Sequence, residues 1–179
     1  MRRILFAMLL LLHACASVPP PGPPAELPPV FALQGRVSVQ YGEQALSGLL
    51  HWRAGQAGDD FLLSSPLGQG LFSISSDDRG VTLTRPGEPA VTAESMEALS
   101  QSALGFPLPL AGLRFWIQAR PDPASASAIH RNAAGGVEQI SQDGWQIDYL
   151  QYRENRPRKI HVTREGLEIR LVIDEWSSN

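Results

Sequence analysis

The side chains able to do chemistry in this 179-residue chain are few and scattered. Four histidines, His13, His51, His130 and His161, stand far apart without His-x-His or His-Glu-x-x-His spacing, so no metal site is expected. The single cysteine, Cys15, rules out an intramolecular disulfide and a cysteine-based zinc site. No Gly-x-Ser-x-Gly elbow and no Ser-x-x-Lys pair supplies a nucleophile. Gly68-Gln69-Gly70 starts like a dinucleotide loop, but Ser73 takes the third glycine position and no long helix follows, so it reads as a turn. Asp59-Asp60 and Asp77-Asp78 fall at strand ends and turns, where solvated loop charges are expected rather than acid–base pairs. Trp52, Trp116, Trp145 and Trp176 occupy apolar positions, with core packing as the default and the wall of an apolar cavity as the alternative. Neither an enzyme nor a cofactor is expected from this set.

One spacing does point to chemistry, and it is covalent modification. Met1-Arg2-Arg3 is a positive start, and Ile4 to Leu12 is an unbroken run of nine apolar residues. That run is too short to cross a bilayer, which takes about 20, and has the pattern of a secretory signal peptide. Leu12-His13-Ala14-Cys15 resembles the lipobox of bacterial lipoproteins, with His13 departing from the usual small or β-branched residue. The resemblance implies that Cys15 becomes the mature N-terminus, with diacylglycerol on its thiol and a further acyl chain on its amine. Stable anchoring requires more than one chain. Removing residues 1–14 shifts the net charge from −3 to −5. An acidic chain argues against general nucleic-acid binding and against a polybasic membrane contact. Ala16 after the cysteine, by analogy with enterobacterial sorting, implies the outer membrane. Prolines 19, 20, 21, 23, 24, 28 and 29 then favour an extended, semi-rigid tether. The expected organisation is a signal peptide at 1–14, a lipidated cysteine and tether at 15–30, and one folded domain at 31–179.

The elements that must position any site are mostly strands. Phe31 to Tyr41 alternates apolar and polar residues, as does Ala45 to Arg53, with a turn at Gly42-Glu43-Gln44. Shorter strands are expected at 60–65, 70–75, 80–84 and 89–92. The period then becomes helical over Ala93–Leu104, with Thr92 as N-cap and Gly105 as stop, and again over Leu110–Gln118. Strands resume at 127–132, 137–142, 146–152, 158–163 and 167–174, with Asp143-Gly144 as a type I′ hairpin turn. The absence of a βαβ rhythm excludes a parallel sheet. About eleven antiparallel strands should curl, with the two short helices covering the apolar face.

Six segments in order resemble the LolB family of outer-membrane lipoprotein receptors. They are Phe31-Ala-Leu-Gln-Gly-Arg-Val37, Ser47-Gly-Leu-Leu-His-Trp52, Leu62-Leu-Ser-Ser-Pro-Leu-Gly-Gln69, Gly105-Phe-Pro-Leu-Pro-Leu110 with Leu113-Arg-Phe-Trp-Ile117, Trp145-Gln-Ile-Asp-Tyr149 with Tyr152, and Leu171-Val-Ile-Asp-Glu-Trp176. The Pro-rich tether departs from family members that carry a helix there. The resemblance implies a mainly β fold, a half-open antiparallel β-barrel plugged by short helices. It also implies a monomeric, lipid-anchored receptor at the outer membrane, facing the periplasm. Such a receptor takes acylated lipoprotein clients from a LolA-type periplasmic chaperone and passes them to outer-membrane phospholipid. Exposing a chain of about 16 carbons costs on the order of 12 kcal/mol, so direct handover without nucleotide is the physically sensible route.

Leu67, between Pro66 and Gly68, is the candidate membrane-insertion residue. A large apolar side chain at a turn is a poor choice unless it meets something apolar. In the family the leucine at this motif position protrudes; folding back onto the barrel is the alternative. Candidate acyl-chain cavity residues are Leu33, Val37, Val39, Leu50, Trp52, Leu63, Met96, Leu99, Leu113, Trp116, Trp145, Ile147 and Leu171, although a filled core would use the same set. Other functions left open are a lipid-anchored, lipocalin-like carrier of another apolar ligand, an envelope assembly lipoprotein, and an anchored envelope enzyme.

Overall fold

The computed structural model describes residues 30–177, so the signal peptide, Cys15 and the proline tether lie outside the described residues. Eleven strands form one antiparallel sheet. In chain order they are β1 (Phe31–Tyr41), β2 (Gln44–Ala54), β3 (Asp59–Ser64), β4 (Gly70–Asp77), β5 (Gly80–Thr84), β6 (Val91–Ala93), then α1 (Met96–Leu104) and α2 (Leu110–Trp116), then β7 (Ser127–Arg131), β8 (Val137–Gln142), β9 (Trp145–Arg153), β10 (Arg156–Arg164) and β11 (Leu167–Ser177). The spatial order β6-β5-β4-β3-β2-β1-β11-β10-β9-β8-β7 is an up-and-down meander whose two chain ends pair with each other. The seam is at β6 and β7, and the helices are inserted there. The sheet is therefore open, and its edges are short, three and five residues, which limits unpaired backbone.

The sheet must wrap, because α2 touches strands that are far apart in its order. Arg114 of α2 meets Asp59 of β3 at 3.1 Å. Two residues later Trp116 donates its indole N–H to Gln142 of β8 at 2.7 Å, and Tyr149 of β9 donates its hydroxyl to the Trp116 carbonyl at 2.6 Å. Four strands lie between β3 and β9. The concave face is lined by the apolar half of each alternating strand, including Phe31, Leu33 and Val39 of β1 and Leu167, Ile169, Leu171 and Ile173 of β11. A bulge at Gln34/Gly35 bends the β1–β11 pair. Glycine is required there, since a Cβ on Gly35 would collide with the Val172 carbonyl.

Local chemistry explains most boundaries and two shifts. Asp143 and Gly144 both adopt positive φ, 51° and 76°, as a type I′ turn demands. Helix α1 starts at Met96 rather than Ala93. Thr92 is spent in the β5–β6 pairing opposite Thr82, and Ser95 caps the helix instead, its hydroxyl accepting from the Ala98 N–H at 3.1 Å. Gly105 stops it at φ 84°. Helix α2 ends at Trp116 rather than Gln118, because Ala119 turns left-handed at φ 56°. The described residues contain no helix long and apolar enough to cross a membrane.

Candidate functional site

Between the concave face and α2 lies a cavity of about 80 Å³ whose lining is entirely apolar. Seven residues of the expected cavity set meet there: Val37 and Val39 from β1, Leu50 and Trp52 from β2, Leu63 from β3, Leu171 from β11 and Leu113 from α2. The structure adds Leu46, Phe61, Phe72, Ile74 and Ile169 from the sheet, and Leu108, Leu110 and Ile117 from the helical cover. Strand alternation already places the first group inward; the segment before α2 carries no such period, so Leu108 went unseen. Each strand residue is there because period-2 geometry aims it inward, and Leu110, Leu113 and Ile117 because helical spacing stacks them on one face.

Six of the expected cavity residues stand elsewhere. Leu33, Leu99 and Ile147 are packed core with 2% exposure or less. Met96 borders a separate depression beside Asp59 and Arg114. Trp116 and Trp145 pack on each other at 6.1 Å, with the Arg164 guanidinium 4.7 Å over the Trp145 ring. The reason is geometric: the β8–β9 wall lies on the far side of α2 from the cavity, so its apolar residues seal the plug instead of facing the void. Trp176 is half-buried at the other end, where it meets Phe31 at 5.8 Å.

The plug is held by polar contacts at both flanks. Asp59 is no solvated loop charge: it accepts the Trp52 indole N–H at 2.9 Å and pairs with Arg114, whose guanidinium also donates to the Gly55 carbonyl. Burial pushes the Asp59 carboxyl above the usual carboxylate range, against the lowering pull of the Trp52 hydrogen bond and the Arg114 charge. Asp60, Asp77 and Asp78 do remain at the surface. At the other flank the buried Gln142 carboxamide accepts from Trp116 and from the Asp122 backbone N–H at 2.9 Å, and donates to the Asp122 carbonyl at 2.7 Å and the Ser125 carbonyl at 3.1 Å. An isolated glutamine in an alternating strand gives no sequence sign of this role.

Leu67 is the most exposed of the large apolar side chains described, at 89%. Its turn is rigid: Gly68 N–H donates to the Ser65 carbonyl at 2.8 Å, Ser65 N–H to the Gln69 carbonyl at 2.8 Å, and Gln69 N–H to the Ser65 hydroxyl at 3.2 Å. Pro66 pre-sets the turn and Gly68 supplies the left-handed step at φ 82°. The side chain therefore points away from the barrel instead of folding onto it. The histidines are not gathered. His51 is exposed, His130 faces Glu138 at 3.3 Å, and His161 pairs with Glu168. Among the described residues no group of three metal-ligating side chains occurs.

Outer-membrane lipoprotein LolB of Thiobacillus denitrificans is 47% identical over 99% of this chain and 99% of its own. The LolB proteins of an Azoarcus strain and of Ralstonia nicotianae are 37% and 34% identical, covering 93% and 92% of this chain and 89% and 91% of theirs. Among solved structures, a LolA superfamily protein of Nitrosomonas europaea superposes with a TM-score of 0.46 at 9% identity, covering 84% of this chain and 87% of that one. The family described as "Outer membrane lipoprotein LolB" matches residues 29–176, and the chain belongs to that family of outer-membrane lipoproteins.

Proposed function

We propose that this protein, anchored through Cys15 and facing the periplasm, accepts acylated lipoproteins from a LolA-type chaperone into its apolar cavity and releases them into the outer membrane. The observation that carries the reading is the wholly apolar cavity under a short helical plug. An acyl chain gains about 0.8 kcal/mol per methylene on leaving water, and such a lining offers nothing to any polar ligand. At about 80 Å³ the cavity is well below the 300–1,000 Å³ of ordinary ligand sites, so α2 with the Leu108–Leu110 segment must move to admit a whole chain. No nucleotide loop is available to drive the step; transfer runs downhill from chaperone to receptor to bilayer. Leu67 serves the last stage by entering the lipid.

The test is a handover assay with the anchored protein in vesicles, using chaperone loaded with an acylated lipoprotein. Leu67→Glu is expected to keep its fold and its uptake of the acyl group while insertion into the bilayer falls at least tenfold. Insertion at the wild-type rate would remove Leu67 from the release step. Uptake of fatty acid without any handover from the chaperone would favour a lipocalin-like carrier.

A further inference from the structure

The β3–β4 hairpin that carries Leu67 has a second apolar feature on its outer face. From Phe61 to Ser76 there is no charged residue in sixteen positions, although 18% of the chain is charged and about three would be expected. The run is bracketed by Asp59-Asp60 and Asp77-Asp78. Within it the two faces of the hairpin differ in role. Leu63 and Phe72 are cross-strand partners that look inward and line the cavity. Leu62 looks outward at 42% exposure. Nearer the tip the ladder slips: Leu63 pairs with Phe72 and Ser64 with Gly70, leaving Leu71 as the extra residue of a β-bulge. Next to inward-facing Phe72, Leu71 lies on the outer face at 39% exposure, and the bulge leaves it without the Ser64 partner that a regular ladder would give it. Leu62 leans toward the tip, its Cδ1 lying 4.0 Å from where a Gly70 Cβ would stand.

Polarity then changes in order along the strand axis. Leu67 is at the tip, Leu62 and Leu71 lie on the order of 10 Å behind it, His51 stands beside Leu62, and the Arg53–Asp60 pair comes next. Apolar groups ahead of charged ones over this distance match the depth at which interfacial segments sit in a bilayer, about 5–10 Å. The family is one of outer-membrane lipoproteins, so a phospholipid surface is the partner within reach.

We infer that Leu62 and Leu71 seat the whole β3–β4 hairpin in the phospholipid surface, with Leu67 as its leading point and the exposed Asp60, Asp77 and Asp78 at its base as the stop. The inference rests on the insertion reading of Leu67 and extends it from one residue to an element. It also places the release route. When the hairpin is seated, Leu63 and Phe72 hold the cavity one strand's thickness from lipid, so a chain leaves over the hairpin tip without crossing water.

The experiment uses the lipidated full-length protein in vesicles of phosphatidylethanolamine and phosphatidylglycerol containing brominated acyl chains. A single cysteine at position 62, 67, 71 or 150 carries an environment-sensitive dye, Cys15 being blocked by its lipid. Leu150, on β9 at 67% exposure, is the apolar control far from the hairpin. Quenching at 67, 62 and 71, strongest at 67 and absent at 150, is the expected result. Leu62→Glu and Leu71→Glu should each slow insertion of a client about tenfold, and Leu150→Glu should not. Quenching at 67 with 62 and 71 as silent as 150 would overturn the seating and leave the Leu67 reading intact. Silence at all four positions would remove both.

Discussion

At the level of single residues, the least visible contributors are the polar ones inside the barrel. Gln142 satisfies two donors and two acceptors of the α2–β7 connection, yet nothing in Val-Glu-Gln-Ile-Ser-Gln marks its last residue as buried. Tyr149 is comparable, and it yields a prediction with a definite sign. Burial, first, and the neighbouring Tyr152, second, push its phenol above the usual range. The folded state then keeps a proton that the unfolded state gives up above about pH 10. Unfolded chains bind fewer protons there, so stability falls as pH rises beyond 10. Tyr149→Phe loses the hydrogen bond to the Trp116 carbonyl, about 1 kcal/mol, but that carbonyl still accepts from Ala119 N–H, and the variant escapes the alkaline loss. Denaturant titrations should show wild type more stable at pH 8, with the two curves crossing near about pH 11. Parallel curves would mean that the Tyr149 hydroxyl is open to solvent. For Leu67 the flanking Pro66 and Gly68 make the turn legible, whereas protrusion against folding back onto the barrel stays open from the residues alone.

Elements were legible where a period was long and a cap was local. The eleven strands follow from alternation, and Asp143-Gly144 from turn chemistry. The start of α1 is not legible, because Thr92 and Ser95 are both good caps and only pairing with Thr82 decides between them. Which of the apolar residues enclose a void also depends on where α2 docks, and that is set by a pair 55 residues apart. Arg114 and Asp59 are only 10% and 16% exposed, so the pair is close to fully desolvated and breaking it should cost about 3 kcal/mol. The raised Asp59 carboxyl means that part of the cost is already present: ionising it opposes folding, so the contribution of this group is most favourable at low pH and is lost as pH rises through its folded-state value. Arg114→Leu should therefore destabilise by about 3 kcal/mol at pH 7, and less at acidic pH, below the raised folded-state value of Asp59, where its carboxyl is protonated. Because Arg114 ties α2 to the β2–β3 turn, the same variant should take up a fluorescent fatty acid faster than wild type. Unchanged uptake in a destabilised variant would show that α2 is not the gate.

For the whole molecule the topology dictates how a cavity of about 80 Å³ can enlarge. Two motions are available to an open meander closed by its helices. The sheet can unroll, which moves the seam strands β6 and β7 apart, or the plug can lift while the sheet stays curled. Unrolling strains the long central pairs: β1 runs eleven residues against β2 and ten against β11, and its register is fixed by inward side chains on every second residue. Lifting the plug breaks far less. Helix α2 has seven residues, no side-chain cap at Pro109, and apolar contacts that an entering acyl chain replaces in kind. Its polar ties to Asp59 and Gln142 are the main loss, and both come from its last turn, through Arg114 and Trp116, so the first turn is free to lift while the last serves as a hinge. The last turn also accepts the Tyr149 hydroxyl at the Trp116 carbonyl, so it is the expected hinge, and the uncapped Pro109 end is the one that opens. Hydrogen exchange on the loaded protein should then show protection falling across Leu108–Leu113, with little change at Trp116–Asp122 or in β1, β2, β10 and β11. Loss of protection at β6 and β7 with α2 unchanged would show that the barrel opens along its seam instead.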